Sequence, residues 1–290
     1  MDDGAHADVY ELRLPAEGRG CAVFSSPHSG AVYPRAFLDA IDLGPHQIRS
    51  SEDAFVDEIF GAAPACGAPL LAARVPRAFI DLNRAPEDLD PALIAGASRR
   101  FLNARIAAGL GVIPRVVGEG RPIMQGKLSL AEAERRIDRY WRPYHRRMQE
   151  LLAEARTRFG TAVLFDCHSM PRDALHAAPA SLGRRPDVVL GDRFGVACGR
   201  WLIEAVDEAF AAEGFAVARN TPFAGGYITQ TYGRPHQDVH ALQIEIDRSL
   251  YMDEARIERR PDFASVSEAV ARVVGRIARL GPRTLPMAAE

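Results

Sequence analysis

Thr161-Ala162-Val163-Leu164-Phe165-Asp166 runs directly into Cys167-His168-Ser169-Met170-Pro171. The first six residues are mainly apolar and partly β-branched, as a buried strand requires. The next five are largely polar and able to do chemistry. The same design occurs earlier, where Cys21-Ala22-Val23-Phe24-Ser25-Ser26 leads into Pro27-His28-Ser29-Gly30. Strand-like runs also cover Pro69–Ala73, Ala78–Leu82, Asp187–Leu190 and His240–Asp247. Helical spacing predicts helices over Asp53–Ala63, Ser129–Arg158, Phe194–Ala212 and Glu268–Leu280. Ser129 with Glu132 has the spacing of a capping box, and Pro143 predicts a kink inside the second helix. Strands alternating with helices of this length predict a layered α/β fold around a mixed, mostly parallel sheet. No linker-like run divides the chain, so residues 1–290 are read as a single domain.

The charge balance is 36 Lys+Arg against 38 Asp+Glu, net −2. That is not the basic balance of a nucleic-acid binder. Glu132, Glu134 and Asp138 interleave with the arginines between Arg135 and Arg147, which reads as a solvated helix face. No apolar run approaches the roughly 20 residues of a membrane span. The start, Met1-Asp2-Asp3-Gly4, lacks the layout of a signal peptide. The expectation is a cytoplasmic protein that binds neither nucleic acid nor membrane. A homo-oligomer is compatible with the chain. Cys21, Cys66, Cys167 and Cys198 form no CxxC pair and read as reduced thiols. Lys127 is the only lysine, so an arginine signals function only through its position.

In open α/β sheets, sites form beyond the carboxyl ends of the strands. His28 and His168 each come after a predicted strand. Two imidazoles with one carboxylate suit a hydrolytic metal ion that keeps a position for water. Ser50-Ser51-Glu52-Asp53 offers two acidic candidates, Glu52 and Asp53, although Asp53 or Ser51 also suits a helix cap. Asn83-Arg84 can hold a carboxylate through a fork of donors, and Arg77 can steady a developing oxyanion. Along His240–Asp247, Leu242, Ile244 and Ile246 share one face, and Gln243, Glu245 and Asp247 the other. A glutamate on a buried strand needs a partner. An activated water is one, with Glu245 as general base; an arginine is another. Gly225-Gly226-Tyr227-Ile228-Thr229 reads as a flexible loop, with Arg234 further along it.

Taken in order, SPHSG (26–30), EDAFVDEIF (52–60), Arg77 with DLNR (81–84), DCHSMP (166–171), GDRFG (191–195) and GGYITQTYG with HALQIEID (225–247) resemble the N-formylglutamate amidohydrolase family. The resemblance implies a three-layer, phosphorylase/hydrolase-like sandwich similar to zinc carboxypeptidases and aspartoacylase. It implies one divalent zinc ion held by His28, His168 and a middle ligand, for which Asp53 aligns better than Glu52. Glu245 and Arg77 match the catalytic pair. Asn83 and Arg84 match the grip on the substrate's α-carboxylate, leaving Tyr227 or Arg234 for a side-chain carboxylate. The implied reaction releases formate from N-formyl-L-glutamate, a step of histidine breakdown. Ala54-Phe55 stands where the formylglutamate enzymes have a Trp-His pair. That departure keeps two alternatives open, hydrolysis of another N-acyl amino acid and a non-catalytic binding relative.

Overall fold

The computed structural model describes residues 8–18, 20–98, 103–177 and 185–281. Its centre is a seven-stranded mixed sheet: β1 (Tyr10–Arg13), β2 (Ala22–Ser26), β3 (Leu70–Ala73), β4 (Ala162–Met170), β5 (Val188–Gly191), β6 (Val217–Arg219) and β7 (Val239–Asp247). Their order is β1-β3-β2-β4-β7-β5-β6. Pairing is parallel except between β1 and β3 and between β7 and β5. β4 and β7, the two nine-residue strands, lie side by side at the centre.

Alternation along these strands divides the apolar residues between two cores. Phe24, Phe165 and Ile244 point to one face. There they meet α1 (Val56–Ile59), α4 (Arg200–Ala211) and α6 (Phe263–Ile277). Val23, Leu164 and Ala241 point to the other face. They are covered by α2 (Leu130–Arg136) and α3 (Arg142–Phe159). Helices cover both faces of the sheet at β4, which is why Ala162–Phe165 reads as a continuous apolar run rather than an alternating one.

Several elements differ from expectation for local reasons. Ala78–Leu82 is no strand; Arg77–Phe79 is a turn, and the chain stays irregular through Arg84. Its amides find other partners, Phe79 N–H donating to Pro76 O (2.9 Å) and Asp81 N–H to Val112 O (2.8 Å). Ala78, Phe79, Ile80 and Leu82 are buried against α2 and α3, so core burial produced a strand-like pattern without a strand. The expected helix at 53–63 shrinks to α1, because Phe55 takes a left-handed φ of 67° that helical residues do not adopt. The helix expected from Phe194 starts at Arg200, behind three consecutive left-handed residues, Arg193, Phe194 and Gly195. The last helix begins early, at Phe263. The Gly225–Thr229 loop becomes α5 (Tyr227–Tyr232) immediately after Gly226.

The long helix does open on the Ser129 cap, whose Oγ accepts from Glu132 N–H (3.1 Å). The Glu132 carboxylate turns to Arg136 instead of closing the capping box. The kink expected at Pro143 is a π turn over Ile137–Trp141, with Pro143 second in α3. Proline cannot donate to the carbonyl four residues back and crowds it. A wider turn just before the proline relieves both problems. Among the described residues, no helix is long and apolar enough to cross a membrane.

Candidate active site

β4 continues past the predicted end at Asp166, so His168 lies within the strand, not after it. Ala162, Leu164, Asp166 and His168 alternate onto one face. The first two belong to the core under α3, and the next two are also buried but polar. On β7 the same face carries Ala241, Gln243 and Glu245, in register with Leu164, Asp166 and His168. The apolar core thus gives way to a polar site at the carboxyl ends of the central strands.

His28 comes directly after β2 and is buried beside β4. Its Nε2 lies 2.7 Å from Asp81 Oδ1, so the ring donates there and leaves a lone pair on Nδ1. That Nδ1 is buried without a hydrogen bond and faces Asp53 Oδ2 at 3.4 Å. His168 is built the same way. Its Nε2 lies 3.1 Å from Asp166 Oδ2, and its Nδ1 lies 3.0 Å from the same Asp53 oxygen. Two imidazole nitrogens and one carboxylate oxygen therefore converge, and one atom from each residue lies within 4.8 Å of the others. With both Nδ1 atoms deprotonated, these atoms repel one another unless a cation sits between them; a proton shared by His168 and Asp53 serves where no cation is bound. Each ring is oriented from behind by a carboxylate, as histidines that ligate metals are. The residues fit a divalent metal ion.

The charges agree. Burial alone would raise the Asp53 carboxyl, yet the neighbouring His168 and His28 imidazoles and the Arg248 guanidinium hold it well below the usual range. Asp81 is likewise held low despite burial, by His28, Arg77 and Arg84. Burial works against a charged His168, but Asp166 and Asp53 outweigh it and raise that imidazole well above its ordinary value. Glu52 stands outside the cluster. Its carboxylate takes Tyr33 Oη at 2.6 Å and Arg49 Nε at 3.1 Å. Of the two acidic neighbours, Asp53 is the one beside the imidazoles.

Glu245 is buried next to His168, with Oε1 accepting from Gln243 Nε2 at 2.8 Å. Gln243 is itself fixed by Gly226 N–H, which donates to its Oε1 (2.8 Å). Burial is the main reason that the Glu245 carboxyl is pushed up to about 7, with the His168 charge opposing it. Arg77 donates through Nε to Asp81 Oδ2 (3.0 Å) and lines the same cleft as Glu245. The cleft encloses about 390 Å³.

The other expected residues divide. Asn83 and Arg84 line the cleft. The Asn83 amide is largely engaged, donating to Asp166 Oδ2 (3.3 Å) and accepting from Ile228 N–H (2.8 Å). Arg84 spends Nε on Leu110 O (3.0 Å) and Nη1 on Asn83 O (2.7 Å). Tyr227 and Arg234 do not line the cleft. Tyr227 packs against Trp141 and His145, and Arg234 is exposed, donating to Gln230 O (2.9 Å). The glycine pair opens a helix that turns Tyr227 away. Ala54 and Phe55, the departure from the family pattern, also lie outside the cleft lining, and Phe55 packs on Phe263 (5.9 Å).

Similarity to known proteins bears on this site. The sequence profile of the N-formylglutamate amidohydrolase family matches residues 21–252. That span contains His28, Asp53, Arg77, His168 and Glu245. The chain belongs to the N-formylglutamate amidohydrolase family. An N-formylglutamate deformylase from Pseudomonas aeruginosa is 35% identical over 261 residues, covering 88% of this chain and 91% of the relative. One from Pseudomonas putida is 33% identical over 260 residues, covering 88% and 90%. The crystal structure of an N-formylglutamate amidohydrolase from Ralstonia eutropha JMP134 superposes with a TM-score of 0.87 at 38% identity, covering 93% of this chain and 97% of that one. The chain is accordingly an amide hydrolase.

The site also contains residues to which the sequence reading gave no role. Asp81 and Asp166 back the two histidines; they open the DLNR and DCHSMP motifs. Arg248 donates to Asp53 Oδ1 (2.8 Å) and Ser169 Oγ (3.1 Å). Arg105 and Arg193 line the cleft. Arg193 stands in the GDRFG motif without a role assigned to it, and among so many arginines Arg105 and Arg248 carried no distinguishing mark.

Proposed function

We propose that this chain hydrolyses N-formyl-L-glutamate to formate and L-glutamate, using one zinc ion held by His28, Asp53 and His168. The reading rests on one observation above all. Three buried acceptor atoms converge beside Glu245, whose raised carboxyl suits proton transfer near neutral pH. The names of the Pseudomonas and Ralstonia relatives supply the substrate. Zinc is the choice because a two-histidine, one-carboxylate set is a common hydrolytic zinc site. When bound, the ion would supply a Lewis acid and a water acidified toward neutrality.

The chain's own residues account for the rest of the reaction. Glu245 accepts a proton from the water that attacks the formyl carbon, then delivers it to the departing nitrogen. Arg77, steadied by Asp81, donates to the oxygen on which charge develops. Arg84 grips the α-carboxylate. Asn83, whose amide already serves Asp166 and Ile228, holds Arg84 in place through its backbone carbonyl. A three-layer arrangement similar to the zinc exopeptidases is compatible with helices on both faces of the sheet, and a single domain with the two cores that share it.

The test is formate release from N-formyl-L-glutamate by zinc-loaded enzyme, with a chelated control. Release that chelation abolishes and zinc restores is expected. Release unaffected by thorough chelation would remove the metal from the reaction. Failure of metal-replete enzyme to release formate would remove the substrate.

A further inference from the structure

Of the five arginines that line the cleft, three already have work inside the protein: Arg77 with Asp81, Arg248 with Asp53, and Arg84 on two backbone carbonyls. Arg193 is half-buried there, and its guanidinium makes no ion pair or hydrogen bond among the described residues. Among the described residues, the only carboxylates in the lining are Asp53 and Glu245. The cleft thus carries more positive charge than its own acids balance, which favours a ligand with more than one negative charge.

Arg193 is also placed with care. It sits at φ 56°, followed by Phe194 at 58° and Gly195 at 85°. Residues with side chains rarely adopt this region, and when held there they often serve a site. Asn220 braces the turn. Its Oδ1 accepts from the N–H groups of Asp192 (3.1 Å) and Phe194 (3.2 Å), and its Nδ2 donates to Asp192 Oδ1 (2.8 Å). Arg193 N–H donates to Ala224 O at 2.7 Å.

The glycine pair fixes where the side chain lies. A Cβ on Gly225 would come within 3.0 Å of Arg193 Cγ, so the stem runs against that glycine. A Cβ on Gly226 would come within 2.5 Å of the Asn83 amide. Arg193 thus lies against one glycine of the pair and Asn83 against the other, and Arg84 lines the same cleft. Two arginines there suit a ligand with two carboxylates.

We infer that Arg193 is the specificity-determining residue that binds the side-chain carboxylate of an N-acyl acidic amino acid while Arg84 holds the α-carboxylate. The inference rests on the acyl amino acid hydrolase reading proposed for this site. It moves the side-chain contact from Tyr227 and Arg234, which lie outside the cleft, to the loop after β5.

The experiment compares kcat and KM for N-formyl-L-glutamate and its neutral isostere N-formyl-L-glutamine, in zinc-loaded wild type, Arg193→Gln, Arg193→Lys and Arg105→Gln. Wild type is expected to prefer the glutamate compound. In Arg193→Gln that preference should fall by roughly 10- to 100-fold, the worth of one lost charge-assisted hydrogen bond. The loss should lie mainly in KM, since the contact is the same before and during reaction. Arg193→Lys should recover part of the preference. Equal losses on both substrates would show a merely structural role and overturn the inference. So would a preference that survives in Arg193→Gln but disappears in Arg105→Gln. Wild-type enzyme inactive on both compounds would overturn the hydrolase reading itself, an outcome distinct from either.

Discussion

Glu245 and His168 are partners across the parallel pairing of the two central strands, register neighbours on the same face of the sheet. The proposed general base and the proposed metal-binding imidazole are thereby set side by side by strand pairing. Replacing Glu245 with Gln should leave that geometry and the bound metal intact while removing the base. Turnover should fall by roughly 100- to 10,000-fold. The check is kcat together with metal content per chain. Near-wild-type kcat in a metal-replete variant would remove Glu245 from the chemistry.

The pH–rate profile depends on the same residue. A base acts in its deprotonated form, so activity should rise with pH through the Glu245 pKa. Burial pushes that carboxyl up to about 7 in the protein alone, and a bound cation nearby lowers it. The acid limb of kcat/KM should therefore lie at or below 7. An acid limb well above that value would assign it to another group.

The carboxylates behind the imidazoles should matter for metal retention. Asp81→Asn takes the charged acceptor from His28 Nε2, and Asp166→Asn does so for His168. Each should weaken metal binding by about 10- to 100-fold. His168→Ala should weaken it further. Competition with a chromogenic chelator measures all three, and unchanged affinity in Asp81→Asn would sink the proposed role of that pair.

His145 should make stability depend on pH. It is buried, with Nε2 at 2.8 Å from Leu82 O and Nδ1 at 2.8 Å from Tyr232 Oη. Burial lowers its pKa to about 4 from an ordinary 6.5. The unfolded chain takes up the proton near 6.5 and the folded protein resists until about 4. Stability is full above 6.5 and declines as pH falls through that window, by at most about 3 kcal/mol. Denaturant unfolding at pH 7 and pH 5 should show a smaller decline in His145→Gln than in wild type. Equal declines would show that other groups are responsible.

The chemistry was legible where it kept to the strand rhythm. His28 and His168 stood out because each breaks an apolar run, and Glu245 because alternation sets it among Gln243 and Asp247 on the face opposite three aliphatic residues. Local sequence offered Asp53 as one of two adjacent acids and only the family resemblance favoured it, since the choice depends on which carboxylate Tyr33 and Arg49 occupy. Tyr227 and Arg234 were placed at the site because a glycine pair suggested a loop open to ligand. The same pair ends in a helix, and local sequence does not say which way such a helix turns its tyrosine. Arg248 and Arg193 depend on contacts with segments far along the chain. The irregular run through Asp81, Asn83 and Arg84 resembled a strand because core burial, not pairing, selected its apolar residues.

The π turn over Ile137–Trp141 has a consequence for that irregular run. Arg136, before the wide turn, donates to Phe79 O (3.2 Å). Trp141 Nε1, at its end, donates to Arg84 O (2.9 Å), and His145 reaches Leu82 O. Each residue of an α-helix rotates the chain by about 100°. Deleting one residue from the turn would restore an even helix. It would also swing either Arg136 or the Trp141–His145 pair out of phase with the segment that presents Arg77, Asn83 and Arg84. The irregular helix works as a keyed shaft: its angular offset, rather than its length or stability, is what the neighbouring loop requires.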